Sequence, residues 1–238
     1  MLTQIPVLDP GECERVSDNV WDLRSQWIPR AQRPASFFTL GLASYQDLSG
    51  PTEHVPTRNY YLEAPFFNNL ILDRFGWLLR RVKSALEAFL NMTTRFDSRL
   101  ALPGFHIFDY LAIPRTDVAS IHFDLQYQLI DWTDYAPQPD FASPISFTLP
   151  IKLPEGGGGL NEWDLTYQEM SRAIHRDLAG FLTCRSKTFY PYSVGMLAIH
   201  SGHHLHQIAG VANVQPGDQR ITLQGHGLRM GAETVLYW

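Results

Sequence analysis

Apolar residues recur along this chain in two rhythms. Cys13, Val16, Val20, Leu23 and Trp27 come at steps of three and four, the stripe of an amphipathic helix. Asp9-Pro10-Gly11-Glu12 precedes it and reads as a helix start. Asp9 is the expected N-cap, Pro10 the first helical residue, and Glu12 closes a capping box. The prolines from Pro29 to Pro34 end that helix. A second stripe (Leu70, Ile71, Phe75, Leu78, Leu79, Val82, Leu86, Phe89) predicts a core helix over residues 66–91. Residues 35–65 between them are turn-rich, with Gly41, Ser49-Gly50-Pro51 and Pro56.

Beyond residue 104 the rhythm changes. Strands are expected over Gly104–Ile113, Ser120–Gln126, Ile145–Leu153, Phe189–His200, Ile208–Val214 and the run that holds Arg220, with a short one in residues 1–8. Gly156-Gly157-Gly158-Gly159 and Gln215-Pro216-Gly217-Asp218 read as turns. The glycine run lacks the Lys-Ser/Thr of a phosphate-binding loop. Thr166–Leu182 reads as a helical insertion. Helices followed by many short strands predict a mainly β fold with flanking helices packed on a jelly-roll. One domain is expected over residues 1–238. Residues 1–100 would give helical support and substrate-side segments, and 101–238 the jelly-roll core with an insertion at 165–185.

Composition narrows the class. A chain of 238 residues, 45% hydrophobic and 18% charged, reads as globular with a sizeable core. A net charge of -5 and the absence of a basic run argue against a nucleic-acid partner. No apolar run approaches the roughly 18 residues of a membrane span. Cys13 and Cys184 form no CxxC, and Met-Leu-Thr-Gln-Ile-Pro lacks the pattern of a signal peptide, so a cytoplasmic protein is expected.

The candidate chemistry lies in Ser120-Ile121-His122-Phe123-Asp124-Leu125-Gln126. On a strand, His122 and Asp124 share a face about 7 Å apart along the chain. An imidazole and a carboxylate aimed at one point supply two thirds of a facial triad, an iron site that leaves coordination positions open. Residues 197–210 hold four histidines (His200, His203, His204, His206) from which the third ligand can come, and Arg220 follows fourteen residues past His206. In Asp218-Gln219-Arg220-Ile221-Thr222-Leu223-Gln224, the side chains of Arg220, Thr222 and Gln224 share one face, and those of Ile221 and Leu223 the other.

This ordered set, His-x-Asp, a later His and then Arg-x-Thr, resembles the iron(II)- and 2-oxoglutarate-dependent oxygenases of the prolyl-hydroxylase-like type. The resemblance spans about residues 105–230. It implies a double-stranded β-helix (jelly-roll, cupin-like) with Fe(II) held by His122, Asp124 and His206, the last preferred for its spacing to Arg220. It implies 2-oxoglutarate and O2 as co-substrates, with succinate and CO2 released. Arg220 would take the far carboxylate of the oxo acid by paired hydrogen bonds. Thr222 would add a hydroxyl, and Tyr110, twelve residues before His122, a phenol. Related halogenases carry glycine or alanine where this chain has Asp124, so the resemblance implies hydroxylation of a small molecule, or desaturation or ring formation, in place of halogenation, with hydroxylation preferred. Gln126 shares the His122 face and is a candidate to touch substrate or co-substrate. By analogy, Arg58, Tyr60, Tyr61, Glu63 and Trp132 wall the substrate pocket, and Arg58 with Glu63 would suit a zwitterion such as an amino acid. Two other readings stay open: a cupin-like iron dioxygenase without the oxo acid, and a metal-free jelly-roll binding module. Substrate identity and oligomeric state are not legible.

Overall fold

The structure, a computed structural model, describes residues 2–30, 37–48, 59–172 and 178–238. In chain order its elements are β1 (Thr3–Pro6), α1 (Pro10–Asp22), β2 (Ile28–Arg30), β3 (Phe37–Leu40), α2 (Ser44–Asp47), α3 (Tyr60–Leu90), β4 (Thr93–Phe96) and β5 (Gly104–Asp109). Then come β6 (Asp140–Lys152), β7 (Gly159–Thr166), α4 (Tyr167–Arg172), α5 (Leu178–Cys184), β8 (Lys187–Pro191), β9 (Met196–Ser201), β10 (His204–Ile208), β11 (Gln219–Met230) and β12 (Glu233–Tyr237).

The capping box forms as expected: Asp9 accepts the Glu12 N–H at 2.8 Å and Glu12 accepts the Asp9 N–H at 3.1 Å. α1 stops at Asp22, earlier than its stripe suggests. A 3-10 turn at Arg24–Gln26 follows, and Trp27 docks back by an indole hydrogen bond to the Val20 carbonyl at 3.0 Å. α3 begins before the expected residue 66. Asn59 caps it by accepting the Leu62 N–H at 3.2 Å, and the helix runs through Pro65 at the loss of one backbone bond.

The larger sheet has the order β1-β9-β6-β11-β5-β3-β2, with β12 also on β11 and β4 parallel to β12; the smaller has the order β10-β7-β8. Period-two alternation divides the larger sheet. Ile221 and Leu223 of β11, Phe105 and Ile107 of β5, and Phe147 and Leu149 of β6 pack on Val16 and Val20 of α1 and Phe75, Leu78 and Val82 of α3. That core fixes the outer face. The other face, carrying Arg220, Gln224 and His226, is left to wall a cavity.

Four strand expectations need correction. Gly104–Ile113 stops at Asp109, where a turn begins. Ser120–Gln126 is not a strand. It is an extended segment with one isolated bridge, His122 to His206, and Gln126–Leu129 turns into a 3-10 helix. Phe189–His200 is broken by a turn whose Gly195 has φ +80 and would place a Cβ 2.3 Å from the Leu8 carbonyl oxygen. Ile208–Val214 leaves the sheet at Ile208. Residues 35–65 hold β2's partner β3 and the short α2, which no periodicity marked. Of the expected insertion helix, the described residues form α4 and α5. Among the described residues no helix is long and apolar enough to cross a membrane.

Candidate metal centre and its cavity

The 120–125 segment lies along β10. His122 and His206 exchange both backbone hydrogen bonds at 3.0 Å, and the Asp124 N–H donates to the Gly202 carbonyl at 2.8 Å. Gly202 permits that approach, since a Cβ there would sit 3.1 Å from the Asp124 carbonyl and 3.2 Å from its side chain. The pairing brings three side chains to one point. Asp124 Oδ1 lies 3.5 Å from His122 Nε2, and Oδ2 lies 3.4 Å from His206 Nε2. The ligand atoms of His122, Asp124 and His206 all fall within 4.8 Å of one another.

Backbone carbonyls set the tautomers. His122 Nδ1 donates to Ser120 O at 3.0 Å and His206 Nδ1 to His204 O at 2.8 Å, so Nε2 of each ring faces Asp124, carrying a proton when the imidazole is charged and offering a lone pair when it is neutral. Burial opposes ionisation of Asp124. The charge of His206 and hydrogen bonds from both imidazoles outweigh it and hold the carboxyl well below the usual range. Burial likewise works against the charged form of His122, but Asp124 overrides it and raises its pKa. The remaining candidates of the histidine cluster do other things. His200 is buried with its ring 4.8 Å from that of His206, and burial depresses it to about 4, keeping it neutral. His203 bonds Tyr127 Oη at 2.9 Å, and His204 faces Glu162 at 3.7 Å.

This cluster sits in a cavity of about 1120 Å³. Arg220 lies on the same cavity wall and is 1% exposed. Its Nε and Nη1 have no hydrogen-bond partner among the described residues, and its guanidinium carbon stands 5.5 Å from the centre of the Phe108 ring. Burial lowers its pKa, partly offset by the Tyr192 phenol. A buried cation without an anion is expensive, so the pocket fits a ligand that brings a carboxylate. The donor set fits a divalent cation equally well: two imidazoles, which bind a metal in their neutral form, and an ionised carboxylate.

Other expected residues stand elsewhere. Thr222 is buried below the cavity wall and accepts from Gln224 Nε2 at 3.3 Å. Tyr110 sits in the turn after β5 and packs against the Phe37–Phe108 cluster, off the cavity wall. Tyr60 is structural: its hydroxyl donates to Trp238 O and accepts from Ala101 N, both at 2.9 Å. Tyr61 accepts the Asp131 N–H at 2.8 Å. Glu63 belongs to the first turn of α3 and accepts the Asn59 N–H at 3.3 Å. Trp132 donates to Tyr127 O at 2.7 Å inside an aromatic cluster and lines a separate cleft of about 550 Å³. None of these four lines the large cavity. Arg58 lies outside the described residues. Gln126 does line the cavity, and its Nε2 donates to Asp124 Oδ1 at 2.9 Å.

Sequence reasoning passed over the groups that do surround Arg220. Tyr192 and Thr148 line the cavity, and a Thr148 hydrogen bond and the Arg220 charge bear on the Tyr192 phenol, whose pKa burial raises. Tyr45 is hydrogen-bonded to His106 Nε2, and both also line it. Thr148 and Tyr192 both stand on expected strands, but Tyr192 falls in the break between β8 and β9, and Tyr45 comes from a one-turn helix, which carries no spacing signal.

No protein-family model matches the chain, and no curated protein matches it in sequence. Solved structures do match. The N-substituted L-amino acid dioxygenase from Burkholderia ambifaria superposes with a TM-score of 0.62 at 13% identity, over 100% of this chain and 86% of that one. The same enzyme in complex with α-ketoglutarate gives a TM-score of 0.61 at 14% identity and the same coverage. The non-heme α-ketoglutarate-dependent epimerase SnoN from nogalamycin biosynthesis gives 0.54 at 12% identity, over 96% and 80%. This chain has their fold. The jelly-roll expected from the strand pattern is therefore the architecture that holds the cluster.

Proposed function

We propose that the chain is an iron(II)- and 2-oxoglutarate-dependent dioxygenase that hydroxylates a small molecule and releases succinate and CO2. The observation that carries this reading is Arg220, a buried guanidinium lacking a described counter-anion, on the wall of the cavity that holds the His122, Asp124 and His206 cluster. A cation and a carboxylate site in one cavity suit an oxo diacid bound at both ends. The fold neighbours support it, since they include a dioxygenase crystallised with α-ketoglutarate and SnoN in complex with Fe3+ and α-ketoglutarate.

His122, Asp124 and His206 would hold the iron, which when bound would chelate the oxo acid and activate O2. Arg220 binds and orients the far carboxylate, Tyr192 and Thr148 offer hydroxyls beside it, and Phe108 shields it from water. Asp124 keeps the third protein ligand in place, which favours hydroxylation over halogenation. The test is anaerobic: protein, Fe(II) and 2-oxoglutarate should give a weak visible charge-transfer band, and air should then yield succinate. Failure to bind iron and to form succinate would refute the proposal. Iron binding without the band would favour the cupin-like reading, in which no oxo acid takes part.

A further inference from the structure

We infer that Gln126 is a positioning residue that decides which oxygen of Asp124 is offered to the cation, and so keeps one coordination position open. The inference rests on the proposed iron site. As the side chains stand, Asp124 presents both oxygens to the centre, Oδ1 at 3.5 Å from His122 Nε2 and Oδ2 at 3.4 Å from His206 Nε2. A carboxylate that chelates through both oxygens uses two positions on a metal. With two imidazoles, that would leave an octahedral ion two open positions instead of three. An oxo acid bound through two atoms would then leave none for O2.

Gln126 breaks the symmetry. Its Nε2 donates to Oδ1 at 2.9 Å, while among the described residues Oδ2 receives no such bond from an amide side chain. An oxygen that already accepts a charge-assisted hydrogen bond is the poorer metal donor, so Oδ2 becomes the ligand. The amide's orientation follows from chemistry: an ionised carboxylate only accepts, so the NH2 end must face it. The other end confirms that Asp124 is what the amide is held by. Gln126 Oε1 is buried with no partner among the described residues. Local backbone makes the reach short. Asp124 ends the extended segment, and Gln126 opens the 3-10 turn Gln126–Leu129, so its side chain folds back over a residue two positions earlier.

Two variants of similar size test this, Gln126→Glu and Gln126→Leu, since neither can donate to an ionised Asp124. Cobalt(II) alone is the first probe, because its d–d spectrum reports coordination number without any oxo acid. Both variants should still bind one cobalt, with an affinity within about tenfold to a hundredfold of wild type, but with a shifted d–d spectrum. The iron protein is the second probe. The apparent Kd for 2-oxoglutarate, read from the charge-transfer band, should rise about tenfold or more in both variants. Variant cobalt spectra that coincide with wild type would overturn the role of Gln126. A wild-type protein that binds cobalt but whose spectrum ignores 2-oxoglutarate would count instead against the proposed function. A change in Gln126→Leu alone would also overturn the role, because it would point to packing and not to the missing donor.

Discussion

Arg220 and Asp124 are both buried charges, but only Asp124 has described partners of opposite character. That difference makes Arg220 testable in an unusual way. Removing a buried charge that lacks a partner relieves a desolvation cost, so Arg220→Leu should fold with a thermal midpoint equal to or above wild type. The same change should weaken 2-oxoglutarate binding by roughly 1.5–3 kcal/mol, about tenfold to a hundredfold. Thermal unfolding and a 2-oxoglutarate titration check the two halves. A large loss of stability would show that the guanidinium serves the fold. The residues legible in advance share one property: their spacing is short or their order is fixed. His122 and Asp124 are two apart, and Arg220 alternates with core residues Ile221 and Leu223. Tyr192 and Tyr45 reach the cavity only through tertiary pairing. Conversely, Tyr60, Tyr61 and Trp132 look like pocket aromatics in the sequence. In the structure their polar atoms satisfy backbone groups: Tyr60 and Trp132 as buried side chains that need a partner, and Tyr61 from an exposed position.

At the scale of elements, alternation was a guide to facing, and a poorer one to pairing. Along β11 it separated the helix-covered face from the cavity face, as the contacts of Ile221 and Leu223 show. Along Ser120–Gln126 the same pattern occurs without a strand, because the bridge to His206 and the Asp124 hydrogen bond to Gly202 orient His122 and Asp124. The turn-rich segment before α3 concealed a different device. Arg30 and Asp47, fully buried, pair through two hydrogen bonds at 2.7 and 2.8 Å. Arg30 Nε also donates to Thr39 Oγ1 at 3.0 Å, and Asp47 accepts the Ala43 N–H at 2.8 Å. This pair ties β2 and β3 to α2, the helix that carries Tyr45 and Gln46 into the cavity wall. Asp47→Ala leaves the arginine buried without its carboxylate and should cost about 3–5 kcal/mol. The double variant Arg30→Met with Asp47→Ala should recover much of that. Denaturant unfolding of the single and double variants measures both, and a double variant no better than the single one would contradict this account.

For the molecule as a whole, the buried histidines set how the metal-free protein responds to acid. Burial lowers the pKa of His106, His200, His203 and His226, with positive neighbours such as Arg220 beside His106 adding to it. A group whose folded pKa lies below its unfolded value of about 6.5 binds its proton more readily in the unfolded chain. Stability from these four is therefore intact above pH 6.5 and is lost as pH falls toward their folded values. His122 acts in the opposite sense. Asp124 raises its pKa, so its contribution is present below pH 6.5 and is lost as pH rises through the raised value. Asp124 itself titrates far below this window. Four groups against one leave a net positive slope of stability with pH, about 1.4 kcal/mol per pH unit for each proton in the difference. Thermal unfolding in a chelator from pH 7.5 to pH 5 should show a falling midpoint. His106→Gln should flatten the fall, since it deletes one titrating group that touches no residue of the metal cluster. A midpoint independent of pH, or one that rises on acidification, would mean that these imidazoles are not held neutral in the folded protein.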